Sequence, residues 1–172
     1  MGIVSELLKD VKTPEMISIR QNFDGTHIDA RDIPSVIAGE MKQEKIASAF
    51  RPGMRVAITA GSRGIANIAL IIKCIADNLK EMGAIPFVVP AMGSHGGATA
   101  EGQREVIESY GITEDFIGCE IISSMETVEI GKTETGRPVR IDKNAYEADG
   151  IVLISEKHIY NVQFLAPKVL LM

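Results

Sequence analysis

Residues 84–103 read AIPFVVPAMGSHGGATAEGQ, and this stretch decides the fold. Ile85 to Val89 is a short apolar run bounded by proline and glycine, the pattern of a buried strand. Gly93, Ser94, His95, Gly96 and Gly97 form a turn, and a helix begins over Ala98 to Gln103. Glycines at such a turn permit positive φ and let the backbone come close to a ligand. The helix N-terminus behind them offers N–H donors to an anion. His95 puts a proton carrier suited to neutral pH on the turn. On these residues alone two readings stand: a ligand-binding turn, or a plain strand-to-helix connection with an exposed histidine.

Working upstream, Met54 to Thr59 is a second strand, followed by the turn Ala60-Gly61-Ser62-Arg63-Gly64. Ile65, Ile68, Ala69, Ile72, Ile75, Ala76, Leu79 and Met82 then recur at three- and four-residue steps, predicting one long helix that Gly83 ends. Asp32 with Pro34 behind it opens an earlier helix that runs to about Ala49. Nearer the N-terminus, Ser5 to Val11 reads as a short helix. Glu15 to Gln21, with Met16, Ile17 and Ile19, reads as a first strand, and His27 sits in a loop as a solvated histidine. Downstream, the helix after the glycine turn extends to Tyr110 with Val106 and Ile107 inward. Cys119 to Ser123 is a strand, Thr127–Ile130 and Val139–Ile141 form a hairpin turning at Gly136, and Ile151 to Ile154 is a central buried strand. Strand–helix–strand–helix order implies an α/β fold: a mainly parallel sheet flanked by helices, with a β-hairpin-rich C-terminal segment near residues 119–143. Its ligand crevice falls at the C-terminal strand ends.

The chain has 172 residues, enough for one domain with a substantial core, and is 45% hydrophobic and 24% charged. A net charge of −5 with no basic run argues against nucleic acid or an anionic membrane as partner. The longest apolar run, Ile65 to Ala76, is broken by Asn67 and Lys73 and is too short to span a bilayer, so a cytoplasmic protein is expected. Cys74 and Cys119 belong to no C-x-x-C pair or Cys/His cluster, so no zinc site is expected, and Cys74 falls on an apolar helix face as a buried thiol.

Arg63 carries a planar, always-charged fork suited to a carboxylate or phosphate. If the two strands pair, its turn converges with that of His95, setting an anion clamp beside an acid/base group; the plainer role for Arg63 is capping local carbonyls or pairing with a surface carboxylate. The TAGSRGI turn also partly resembles the nucleotide loop of short-chain dehydrogenases, with Ala60 and Ala66 where that family has glycines and no Y-x-x-x-K pair, so a nucleotide-dependent oxidoreductase is the weaker alternative. Ser62, Ser94, Ser123 and Ser124 lie in no G-x-S-x-G elbow, which argues against a serine hydrolase. Asp115, Glu120, Glu126 and Glu129 read as solvated carboxylates.

Four segments together, RPGMRVAITAGSRGIANI (51–68), GAIPFVVPAMGSHGGATAEGQ (83–103), YGIT (110–113) and EADGIVLI (147–154), resemble the N-terminal, Rossmann-like domain of the nickel-dependent lactate racemase family, most closely the branch labelled lactate-racemase-like. The resemblance implies an enzyme that interconverts stereoisomers of a small 2-hydroxy acid, with a nickel-pincer nucleotide tethered through a lysine. It implies that His95 is one general acid/base, that Ser62 and Arg63 lie near the substrate, and that Ser94 adjoins them. The family has acidic residues ahead of its Thr-Arg pair and a proline after it, where this chain has Ala60, Gly61 and Gly64. It continues past the IVLI strand through Lys-Pro-His into a further domain, whereas Ser155–Met172 reads SEKHIYNVQFLAPKVLLM. Residues 1–154 are therefore expected to be the N-terminal domain and 155–172 an atypical tail in which His158 and Lys168 do not match the family's second histidine and lysine. The chain is expected to be truncated or frameshifted, inactive alone, and not to bind the cofactor. A non-catalytic binding or assembly module, partner of a separate C-terminal half, is the alternative from another class.

Overall fold

The computed structural model describes residues 6, 7, 9–12, 17–20, 27–62, 65–155 and 169–171. Its elements in chain order are α1 (Ile33–Met41), α2 (Glu44–Ala47), β1 (Arg55–Ala60), α3 (Ile68–Glu81), β2 (Ile85–Pro90), a 3-10 turn (Gly96–Ala98), α4 (Ala100–Ser109), α5 (Glu114–Ile117), β3 (Glu120–Ile121), β4 (Thr127–Lys132), β5 (Pro138–Asp142), α6 (Lys143–Glu147), β6 (Gly150–Leu153) and β7 (Val169–Leu171). The sheet runs β3-β2-β1-β6-β7 with every pair parallel, and β4 and β5 form a separate antiparallel hairpin. The expected α/β fold with a parallel sheet and a hairpin is what the chain adopts. β7 lies within the segment expected to be a tail and pairs with β6, Ile151 opposite Val169.

Alternation along the strands splits the core in two. Val56, Ile58 and Ala60 of β1 and Val88 of β2 face the layer built by α1, α3 and α4, where Ile37, Met41, Ile72, Ile75, Leu79 and Ile107 are buried. Removing each large aliphatic side chain from water contributes roughly 1.5–3 kcal/mol, which makes this layer the main source of stability. Ala57, Phe87, Val89 and Ile151 face the other way, against Ala145 and Ala148 at α6. The connections β1–α3–β2 and β2–α4–α5–β3 cover one face. The return from β3 to β6 crosses β1 in the opposite direction and lays the hairpin and α6 over the other face, as right-handed crossovers require. The strand order reverses beside β1, so the switch point lies between β1 and β6.

Pro86 sits inside β2 without harm. Ile85 donates its N–H toward β1, to Met54 O at 2.7 Å, so the N–H that proline lacks would point toward β3, whose pairing begins only at Phe87.

Several expectations need correction. Ile17 to Arg20 form no strand, and Ile17 and Ile19 are 80% and 85% exposed, so alternation there has no sheet edge to pair with. The helix expected from Asp32 to Ala49 is two, because Gln43 takes an extended backbone (φ −58°, ψ 133°) that interrupts the i to i−4 ladder. α3 starts at Ile68 because Asn67 is left-handed (φ 58°). The Cys119–Ser123 strand is only Glu120–Ile121, and α5 and α6 are short helices that the sequence reading did not anticipate. Of the helix expected over Ser5–Val11, Glu6 and Leu7 are helical, while Ser5 and Leu8 lie outside the described residues, as do Met16, His158 and Lys168. Cys74 is buried on α3, as its helix position predicts.

Candidate functional site

β1 and β2 pair along their full length, and the N–H of Ala91 donates to Ala60 O at 2.8 Å, one step beyond the strands. The turns that follow therefore leave the same sheet edge from strands about 5 Å apart. Ser62 is half-buried on the first turn, while Arg63 and Gly64 lie outside the described residues. On the second turn Ser94 is exposed and His95 half-buried. His95 has extended backbone (φ −65°, ψ 163°), its N–H donates to Met92 O at 3.3 Å, and its carbonyl accepts from Ala98 N–H at 3.2 Å.

Three residues explain the shape of the His95 turn. Gly93, Gly96 and Gly97 all have φ between 62° and 68°, the region glycine enters without a Cβ penalty. Ala98 shares it at φ 55°, at a cost of about 1–2 kcal/mol that the surrounding contacts must offset. Gly96 also packs directly on Gly102 of α4: a Cβ on Gly102 would lie 2.0 Å from Gly96 O.

α4 holds both turns. Thr99 caps it, its Oγ1 accepting from Gly102 N–H and donating to Gly96 O, each at 3.1 Å. Gln103, only 4% exposed, donates from Nε2 to Gly93 O at 2.7 Å. At the far end the Tyr110 hydroxyl donates to the Ser62 carbonyl on the other turn. Arg104, paired along α4 with Glu108, ties the helix to its neighbours through Glu114 and Ile121 O. The helix start expected to receive an anion is otherwise occupied: Thr99 caps it and the Glu101 carboxylate sits in its first turn.

Beside the turns, on the face carrying the hairpin, lies a cleft of about 510 Å³. Its floor is Thr59, Val89, Ile151 and Leu153 at the strand ends, Gly93 of the His95 turn closes one side, and Ser124, Arg140 and Ile141 bring in the hairpin side. Thr59 Oγ1 accepts from Ile154 N–H at 3.0 Å, which locks the end of β6 to β1 in a buried position. Ser94 and His95 are not among the residues lining this cleft. A second groove of about 830 Å³ lies on the opposite face against α1 and α3; it is aliphatic, with His27 and Asn67 among its lining residues. Among the described residues no group of three or more His, Cys, Asp or Glu side chains is placed to hold a metal ion, and no helix is long and apolar enough to cross a membrane.

A parallel sheet with glycine-rich turns at its carboxyl edge and a cleft beside its switch point defines an α/β domain with an open sheet. The lactate racemase N-terminal domain model matches residues 7–161, and the chain belongs to that family. No curated protein matches it. At family level this membership implies a nickel-pincer nucleotide. Among the described residues no cluster of three or more protein ligands is assembled for its metal.

The sequence reading found the two turns but missed the cleft and Arg140. The visible signal was a cation alternating with Val139 and Ile141 on a hairpin strand. Only the path of the hairpin over the strand ends makes that position relevant.

Proposed function

We propose that this domain binds a 2-hydroxy acid at the paired turns after β1 and β2 and supplies one acid/base group for exchange of its stereoisomers. Membership of the lactate racemase family carries this reading. It is supported by the common edge from which Ser62 and the His95 turn emerge, and by α4, which holds both turns in register through Gln103 and Tyr110. Arg63 pairs with the substrate carboxylate, with Ser62 and Ser94 donating hydrogen bonds beside it. His95 takes the proton from the substrate hydroxyl and returns it. Inversion also requires the hydrogen on the hydroxyl-bearing carbon to leave as hydride, giving the 2-keto acid, and to return on the opposite face. This takes a hydride acceptor, the chemistry the family's nickel nucleotide would supply, and a second acid/base group on that face. We assign that group, and the hold on the nickel nucleotide, to a C-terminal partner domain rather than to the described residues, so this domain alone binds substrate without turning it over.

The imidazole resonances test this directly, because the chain has three histidines and His95→Gln identifies one of them. Titrating lactate should shift the His95 signal, while propionate, which lacks the hydroxyl, should shift it much less. Equal shifts from the two acids, or none from either, would rule out His95 as the group that meets the hydroxyl.

A further inference from the structure

We infer that the cleft beside the His95 turn receives the far end of the substrate, and that this substrate is a 2-hydroxy acid whose apolar chain ends in a second anionic group. The inference rests on the reading of the turns given above and names the substrate class for that site. Gly93 belongs to both the turn and the cleft wall, so a molecule with its hydroxy acid head at the turn extends directly into the cleft.

Size is the first argument. About 510 Å³ is the room of roughly seventeen water molecules at ~30 Å³ each, far more than lactate fills. Chemistry is the second. Val89, Met92, Ile151 and Leu153 present aliphatic surface suited to a methylene chain. Four of the polar side chains among them already have partners: Thr59 accepts from Ile154 N–H, Gln103 donates to Gly93 O, Ser124 Oγ accepts from Glu126 N–H at 3.0 Å, and Asp142 Oδ1 accepts from Ala145 N–H at 2.9 Å.

Arg140 differs from these. Among the described residues lining the cleft it is the cation, and its partner Glu129 is 3.6 Å away with the two side chains 55% and 39% exposed. An ion pair that long and that solvated contributes little, so the guanidinium is free to turn its planar fork on an anion in the cleft. An aliphatic body with a terminal carboxylate complements this lining; a neutral chain leaves Arg140 unused.

Calorimetric titration of the full chain with lactate, 2-hydroxyhexanoate and 2-hydroxyhexanedioate tests the inference. The dianion should bind at least about tenfold more tightly than the hexanoate, the scale of a hydrogen bond to a charged group. Arg140→Gln should abolish that difference and leave lactate binding unchanged. Glu129→Gln, which removes the competing carboxylate, should tighten the dianion. Equal affinity for the two six-carbon acids, or a difference that survives Arg140→Gln, overturns the inference. Lactate failing to bind would instead sink the reading of the turns, since it has no group that reaches Arg140.

Discussion

Alanine at Gly102 offers a test in which two effects have opposite signs. In an unobstructed helix, Gly→Ala stabilises by about 1 kcal/mol because the backbone loses less entropy on folding. At Gly102 the new Cβ would lie 2.0 Å from Gly96 O, 2.8 Å from Gly96 C and 2.9 Å from Thr99 Oγ1. The Gly96 carbonyl would have to retreat by more than about 1 Å to reach ordinary contact. That movement breaks the bond from Thr99 Oγ1 and pulls on the turn bearing His95. Overpacking of this kind costs about 1–3 kcal/mol and the lost hydrogen bond about 0.5–1.5 more, so the net change is a loss of about 1–3 kcal/mol. Differential scanning calorimetry should show the melting temperature falling by roughly 2–12 °C. Gly39, in the middle of α1 with nothing within 4 Å of its ideal Cβ, is the control: Gly39→Ala should raise it. If Gly102→Ala stabilised the protein as Gly39→Ala does, the close approach of turn and helix would be refuted.

Gln103→Leu removes the side-chain bond to the carbonyl of Gly93, an exposed residue whose oxygen water can then reach, so urea denaturation should show a loss of about 0.5–1.5 kcal/mol; an unchanged midpoint would mean the bond does not hold the turn. Tyr110→Phe removes the link from α4 to Ser62 at a 43% exposed site, so stability should fall by no more than about 1 kcal/mol while lactate affinity drops several-fold. Burial pushes the Cys119 thiol up from 9.0 to about 11. Iodoacetamide labelling of Cys119 in the native protein should therefore be slow at pH 8 and keep rising beyond pH 10, with mass spectrometry as the readout; a plateau near pH 9 would contradict it. That raised value also means stability is present below pH 9 and is lost as the pH climbs toward 11. Glu114 is held below its usual 4.5, first by the N–H of Ile121 and then by the Arg104 guanidinium. Its contribution is present above that value and lost as the pH falls through the lowered one, so Glu114→Gln should flatten the acid limb of the stability curve below pH 4.5.

The parallel core was legible because its strands are continuous apolar runs and α3 repeats its apolar residues at helical steps, so both signals are local. The breaks were less legible. The side chain of Gln43 announces no extended backbone, and Asn67, although of a type that enters the left-handed region, sits within a run of helical spacing that masks the break. Ile17 and Ile19 carried a strand-like pattern that failed because alternation describes a face and not the presence of a neighbour. The position of Ser62, Ser94 and His95 on glycine-rich turns after strands was legible from local pattern. The internal roles of Gln103 and Tyr110 were not, because side-chain bonds across 10 and 48 residues leave no local pattern.

By itself, then, the sequence determined the class of fold, the two turns and the family, because periodicity, glycine placement and long motifs are properties of neighbouring residues. Tertiary structure decided what those turns became. Pairing of β1 with β2 brought them to one edge, α4 fastened them together, and the return crossover from β3 to β6 laid a hairpin and its Arg140 beside them. The stretch from Ala84 to Gln103 owes its glycine at 96 to a contact with Gly102 in the next helix, a close approach that only the folded chain makes.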